Sequence, residues 1–183
     1  FHPVTLEHEN TAWQVGELLA AVDACGMPVI ITQSNADMKG RMITRMMRDY
    51  AEGPARAQMV ENLGAKGYFS VMAGAAAMVG NSSSGIIEAA SFGLPVVNIG
   101  KRQQGRVRAK NVIDVDDNRE AILSGIRRAA KPGFRASLTA MSNPYGDGHA
   151  AEPIVEHLKV VPLDWSLVRK RFVDAANSPV GTV

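Results

Sequence analysis

The chain has 183 residues, 46% of them apolar and 21% charged, with a net charge of +2 and one cysteine. That composition suits one globular domain, or a domain with an appendage, and excludes an internal disulfide; the lone thiol of Cys25 fits a reducing, cytoplasmic setting. Scattered basic residues and sparse aromatics argue against a nucleic-acid partner, and no apolar run nears the roughly 20 residues that span a bilayer, so no membrane partner is expected.

Residues 1–5 (FHPVT) read as the end of a strand passing into a loop. There is no signal-peptide pattern and no initiator methionine, so further chain is expected ahead of Phe1 in the parent protein. Residues 11–25 place Val15, Leu18, Leu19 and Val22 at helical spacing, and Gly26 ends that helix. Cys25, at the apolar end, reads as a packing residue rather than a nucleophile. Residues 28–32 (PVIIT) are a short buried strand, and 33–37 (QSNAD) a polar turn that carries Asn35. A basic helix is expected over 40–50, with Met42, Met46 and Met47 as core filler.

Gly53-Pro54 breaks the chain. A weak strand over 58–62 and a helix over 66–76 follow, with Leu63 just ahead of the helix. Residues 77–80 are a strand, a run of serines leads into a helix ending at Phe92, and 95–99 and 111–115 are strands. Residues 117–130 form an amphipathic helix, 143–148 (NPYGDG) a glycine turn, and 152–158 a helix; another is expected around 165–174. Short apolar strands alternating with helices predict an α/β fold, a doubly wound parallel sheet of Rossmann-like type. Residues 1–160 are read as that domain and 161–183 as a tail helix.

Ligands of such folds bind beyond the carboxyl ends of the strands. GNSSSGIIEAASFGLPVVNIG, residues 80–100, stands at one of those ends. A helix start carries unpaired N–H groups, and small hydroxyl residues let an anion reach them, so Ser82, Ser83, Ser84 and Gly85 can cradle a phosphate. The alternative is a plain helix cap, with Glu88 favoured by the helix dipole. One serine would serve for that. Glu88, a turn further on, can accept hydrogen bonds from the two hydroxyls of a ribose, so cradle and carboxylate together suggest a nucleotide. Neither GxxxxGK[ST] nor GxGxxG is present. Arg102 and Arg106 offer guanidinium groups suited to phosphate. His8, His149 and His157 stand at no ligand-like spacing with carboxylates, so neither a metal nor a cofactor is expected.

The stretch GNSSSGIIEAASFGLPVVNIGKRQQGR, the opening FHPVT and the late NPYGDG together resemble the UDP-N-acetylglucosamine 2-epimerase family, in its hydrolysing branch, over residues 1–158. The resemblance implies the carboxy-terminal half of a GT-B-like two-domain fold, with a UDP-sugar substrate bound between the halves. It implies that Ser82 and Ser83 bind the diphosphate, that Gly85 lets the backbone close in, that Glu88 holds the ribose and that Arg102 faces the phosphates. It places Leu63 at the uracil, Asn35 at a nucleotide-side position and His2 in the active-site cleft. The implied partners are the amino-terminal domain of the same protein, which would supply the acid–base carboxylates, and a second copy in a homodimer. The implied reaction removes the proton at sugar C2, expels UDP from C1, adds water at C1 and reprotonates C2 from the other face. Two other functions share the nucleotide-binding pattern: the corresponding domain of a GT-B glycosyltransferase, and a nucleotide-sugar-binding module without chemistry.

Overall fold

The computed structural model describes residues 1–33, 39–54 and 56–169. The chain divides into two compact units, Phe1–Asp147 and Gly148–Val183.

In the first unit a 3-10 turn at Thr5–Asn10 leads into α1 (Thr11–Cys25). Then follow β1 (Val29–Thr32), α2 (Gly40–Glu52), β2 (Ala57–Val60), α3 (Gly64–Gly74), β3 (Met78–Gly80) and α4 (Ser84–Ile87). A 3-10 turn at Ala89–Phe92, β4 (Val96–Ile99), β5 (Val112–Val115), α5 (Arg119–Ala129) and α6 (Pro132–Ala136) complete it. All strand pairing is parallel. β1 pairs with β2, Val29 opposite Ala57; β4 lies between β3 and β5, with Val96 opposite both Met78 and Val112. Parallel neighbours need crossover connections: α2 supplies the one from β1 to β2, the α4 segment the one from β3 to β4, and the loop over 100–111 joins β4 to β5, while α3 carries the chain from the first sheet to the second.

The strands are rich in β-branched residues, which suit a pleated surface covered on both sides. β4 is buried at all four positions. Val97 and Ile99 enter one apolar cluster with Val15 and Leu18 of α1, Ile43 and Met47 of α2, and Ile122 and Ile126 of α5. Val96 enters a second with Met72 of α3, Ala89 and Leu94. Helical layers therefore cover both faces of β4, as a doubly wound sheet requires. Residues of both sheets, including Ile31, Met59, Val79 and Ile113, join the first cluster. Each fully buried Ile or Leu contributes about 2 kcal/mol to that core. α5 approaches closely because Gly125 has no side chain: a Cβ there would stand 2.8 Å from Val97 Cγ1. Its start is capped by Asn118, whose side chain accepts from the Ala121 N–H. Cys25 is half-buried and packs against the first cluster, as do Met46 and Met47.

Three features differ from expectation. Residues 1–4 are not a strand. The 3-10 turn at Thr5–Asn10 and the short α6 fall where no element was expected; α6 starts at Pro132, whose fixed φ suits a first helical position. The helix expected from the serines to Phe92 breaks after Ile87. Asn143 Nδ2 donates to the Ile87 carbonyl and to Ser91 Oγ, each at 2.8 Å. The Ser91 N–H bonds the Glu88 carbonyl instead, one residue short of the α-helical partner, and the chain tightens to 3-10.

The second unit contains α7 (Ala151–Val160) and α8 (Trp165–Val168), the latter capped by Asp164, whose side chain accepts from the Ser166 N–H. α8 falls within the stretch expected to be helical over 165–174 but ends at Val168, with Arg169 out of helical geometry; residues 170–174 lie outside the described residues. Large apolar side chains of this unit are exposed, among them Ile154, Leu158, Leu163 and Trp165. Among the described residues no helix is long and apolar enough to cross a membrane.

Candidate functional site

β3 ends at Gly80, whose φ of 144° only glycine adopts readily, and the chain turns there into Asn81. Asn81 is fully buried. Its side-chain amide bonds the backbone of His2 both ways: Oδ1 accepts from the His2 N–H at 2.7 Å, and Nδ2 donates to the His2 carbonyl at 2.8 Å. Its own carbonyl accepts from Arg102 Nη1 at 3.0 Å and from Gln103 Nε2 at 2.8 Å. One buried asparagine thus joins three chain segments that sequence separates by up to about a hundred residues.

The serine run follows directly. Ser82 Oγ accepts from the Ser84 N–H at 3.3 Å, and the Gly85 N–H bonds the Ser82 carbonyl at 3.2 Å. Tyr68 of α3 donates its hydroxyl to Ser84 Oγ at 3.0 Å. Ser83 occupies the cap position but makes no side-chain cap bond. The simple capping role therefore falls to Ser82 rather than Ser83. The amides of Ser84 to Glu88 are satisfied within this turn, and the serine hydroxyls add groups that can donate while they accept. Glu88 stands at the junction of α4 and the 3-10 turn, half-buried. Its Oε2 is buried with no hydrogen-bond partner. Such an oxygen is costly to leave unpaired, and the same holds of Gln14 Oε1, Gln103 Oε1 and Asn111 Oδ1.

Gly85 has a packing reason for its identity. A Cβ there would lie 2.8 Å from Val96 Cγ1, so the missing side chain is what lets α4 sit on β4.

The loop after β4 begins at Gly100, left-handed at φ 67°. It carries Arg102, half-buried on Asn81, while Arg106 is exposed. Arg108 fastens the loop from within: it donates to the Gln103 and Arg106 carbonyls and pairs with Asp114 at 2.9 Å. Tyr145 donates to the Val107 carbonyl at 3.0 Å. The turn holding Asn143 and Tyr145 therefore touches both the α4 segment and the Arg102 loop.

His2, Ser82, Ser83 and Arg102 are thus gathered around Asn81, with Glu88 one turn beyond the serines. Leu63 is half-buried at the start of α3, next to left-handed Gly64, whose N–H is held by Asn62 Oδ1 at 2.7 Å. Asn35 lies outside the described residues. Sequence reasoning missed Asn81, Gln103, Tyr68 and Asn143. The one available signal was a polar residue directly after a strand, and Asn81 blends there into the polar run. A separate open cleft of about 880 Å³, lined by Gly100, Lys101, Gln104, Arg108 and Asp114 among others, contains none of the predicted site residues. Among the described residues no group of three or more His, Cys, Asp or Glu could hold a metal ion.

A parallel α/β domain with a hydroxyl-rich turn after one strand and an arginine loop after the next is a Rossmann-like domain. Comparison with known proteins makes this specific. Residues 1–159 match the family described as UDP-N-acetylglucosamine 2-epimerase, and the chain belongs to that family. It is 38% identical over 171 residues to the Legionella pneumophila UDP-N,N'-diacetylbacillosamine 2-epimerase (hydrolyzing), covering 93% of this chain and 44% of the relative. It is 28% identical to the Neisseria meningitidis UDP-N-acetylglucosamine 2-epimerase, covering 95% and 45%. Among solved structures, the S. aureus MnaA–UDP co-structure superimposes with a TM-score of 0.67 at 20% identity, over 86% of this chain and 43% of that one. The Methanocaldococcus jannaschii UDP-GlcNAc 2-epimerase gives 0.62 at 14% identity, over 86% and 44%. The chain spans less than half the length of these relatives, corresponding to their carboxy-terminal half.

Proposed function

We propose that this chain is the UDP-binding half of a hydrolysing UDP-N-acetylglucosamine 2-epimerase, completed by an amino-terminal half of the same protein. The observation that carries the proposal is Glu88: a carboxyl oxygen buried without a partner, one turn after a serine whose hydroxyl makes no cap bond. A ribose diol supplies the donors that Glu88 lacks. The hydroxyls of Ser82 and Ser83, with Arg102, supply donors and charge for a diphosphate. Leu63, at the opening of α3, offers backbone to the base, and Asn35 belongs to the same nucleotide side by resemblance.

The chemistry asks most of these groups when the bond between sugar C1 and UDP breaks. Negative charge then grows on the departing diphosphate, and preorganised donors stabilise it. They accelerate cleavage insofar as they hold leaving UDP more strongly than the intact sugar nucleotide. His2, whose backbone shares Asn81 with Arg102, is by resemblance the group of this half for proton transfer or for steadying the phosphates. The acid–base carboxylates belong to the other half, so this chain alone binds UDP and turns nothing over. The exposed Ile154, Leu158, Leu163 and Trp165 support a tail that packs on the amino-terminal half.

One observation favours a second sugar. Identity is higher to the 2-epimerases named for diacetylbacillosamine, 38% and 41%, than to the one named for UDP-N-acetylglucosamine, 28%. A UDP-diacetamido sugar is therefore the alternative substrate.

Calorimetric titration with UDP tests the proposal. Saturable binding that Glu88→Ala and Ser83→Ala both weaken is the expected result. Absence of UDP binding by this chain and by the full-length parent would overturn it. Epimerase turnover by the isolated chain would overturn the division of labour between the halves.

A further inference from the structure

We infer that Asn81 is a positioning residue: its side-chain amide fixes His2 and Arg102 as one unit, making a single wall of the site from two separate chain segments. The inference rests on the proposed UDP site and adds to it a residue that contacts neither ligand nor reacting atoms.

Residues 1–4 form no strand. A side chain, that of Asn81, bonds the His2 backbone instead of a neighbouring strand. Its amide presents one acceptor and one donor, and the His2 backbone takes both, at 2.7 and 2.8 Å. The reciprocal pair fixes orientation as well as distance, because a primary amide is planar. A second pair of bonds converges on the backbone carbonyl of the same residue, from Arg102 and Gln103. That carbonyl and the amide belong to one residue, so the contacts with Arg102 and with His2 meet at a single point of the chain. Asn81 is itself fully buried and its bond from Gln103 is buried throughout, which keeps water from taking the place of that bond. Ser82 is the next residue in the chain, so the anchor also sets where the serine turn begins.

Aspartate has nearly the same shape as asparagine and accepts from the His2 N–H, but it faces the His2 carbonyl with a second acceptor. Asn81→Asp therefore separates the amide's chemistry from its volume, while Asn81→Ala removes both bonds. Three readouts on the 183-residue chain decide the matter. Hydrogen exchange at the His2 N–H is expected to accelerate about tenfold or more in Asn81→Ala, the loss of one buried hydrogen bond. The Arg102 guanidinium proton resonances, held in the wild type by the Asn81 carbonyl, are expected to broaden in Asn81→Ala and Asn81→Asp. UDP affinity is expected to fall about tenfold in Asn81→Ala, with Asn81→Ala/Arg102→Ala no weaker than Arg102→Ala alone.

Unchanged exchange and resonances in a folded variant overturn the inference. So do affinity losses for Asn81→Ala and Arg102→Ala that simply add, since Asn81 would then be a structural tie that does not act through the arginine. If Asn81→Ala does not fold, the Arg102 resonance in Asn81→Asp decides. Wild-type chain that binds no UDP counts against the proposed function, and the exchange and resonance measurements still decide the role of Asn81.

Discussion

A side chain at Gly85 would place its Cβ 2.8 Å from Val96 Cγ1, and so Gly85 and Val96 are a matched pair, one empty and one filled. Gly85→Ala should force α4 off β4 and cost about 1–3 kcal/mol, the usual penalty for overpacking. Val96→Ala in the same chain should return most of that loss by opening the space again. Urea midpoints of the two single variants and the double variant check this. An affinity loss for UDP without any stability loss would instead mean that Gly85 serves ligand approach alone.

Glu88 should show opposite effects on stability and on binding. Glu88→Leu removes a buried oxygen that has no partner, so the unliganded chain should keep its stability or gain about 1 kcal/mol. The same change should weaken UDP by about tenfold or more, the worth of a hydrogen bond to a charged group. With dideoxy-UDP, which lacks the ribose diol, wild type and variant should bind alike. Calorimetry with the two nucleotides tests the assignment, and an equal loss for both would remove Glu88 from the ribose.

Asn143 should behave as a remote brace. Asn143→Ala deletes the bonds to the Ile87 carbonyl and Ser91 Oγ that hold the break in the helix just before Glu88. A stability loss of about 1–2 kcal/mol is expected. UDP affinity should fall with it, because the turn carrying Glu88 loses its fixed form. Asn143→Asp keeps an acceptor for the Tyr145 N–H but cannot donate to the Ile87 carbonyl, so it should fall short of rescue. Urea denaturation and UDP titration of both variants provide the check.

Most of the frame was legible because apolar spacing alone sets it. The helix at Thr11–Cys25 matches its expectation, and the strands at Val96–Ile99 and Val112–Val115 begin within a residue of theirs. The run of small hydroxyl residues and Glu88 marked a candidate site through residue type. What could not be read depends on contacts distant in sequence. The helix break after Ile87 is imposed from Asn143, 56 residues away. The steric reason for Gly85 lies in Val96, on the next strand. FHPVT has the composition of a strand, yet a side chain takes the place of a strand neighbour. Local patterns carry none of these, because each is decided by what the completed sheet brings alongside.

The bonds between His2 and Asn81 close a loop of 79 residues. Closing it costs chain entropy that only an already assembled sheet can offset, since β3 must be paired before Asn81 has a fixed place. The wall that carries the histidine and the arginine is therefore a late product of folding. During refolding, far-ultraviolet signal should recover ahead of the capacity to bind UDP, and the interval between the two is the time the chain takes to bring its first residues home.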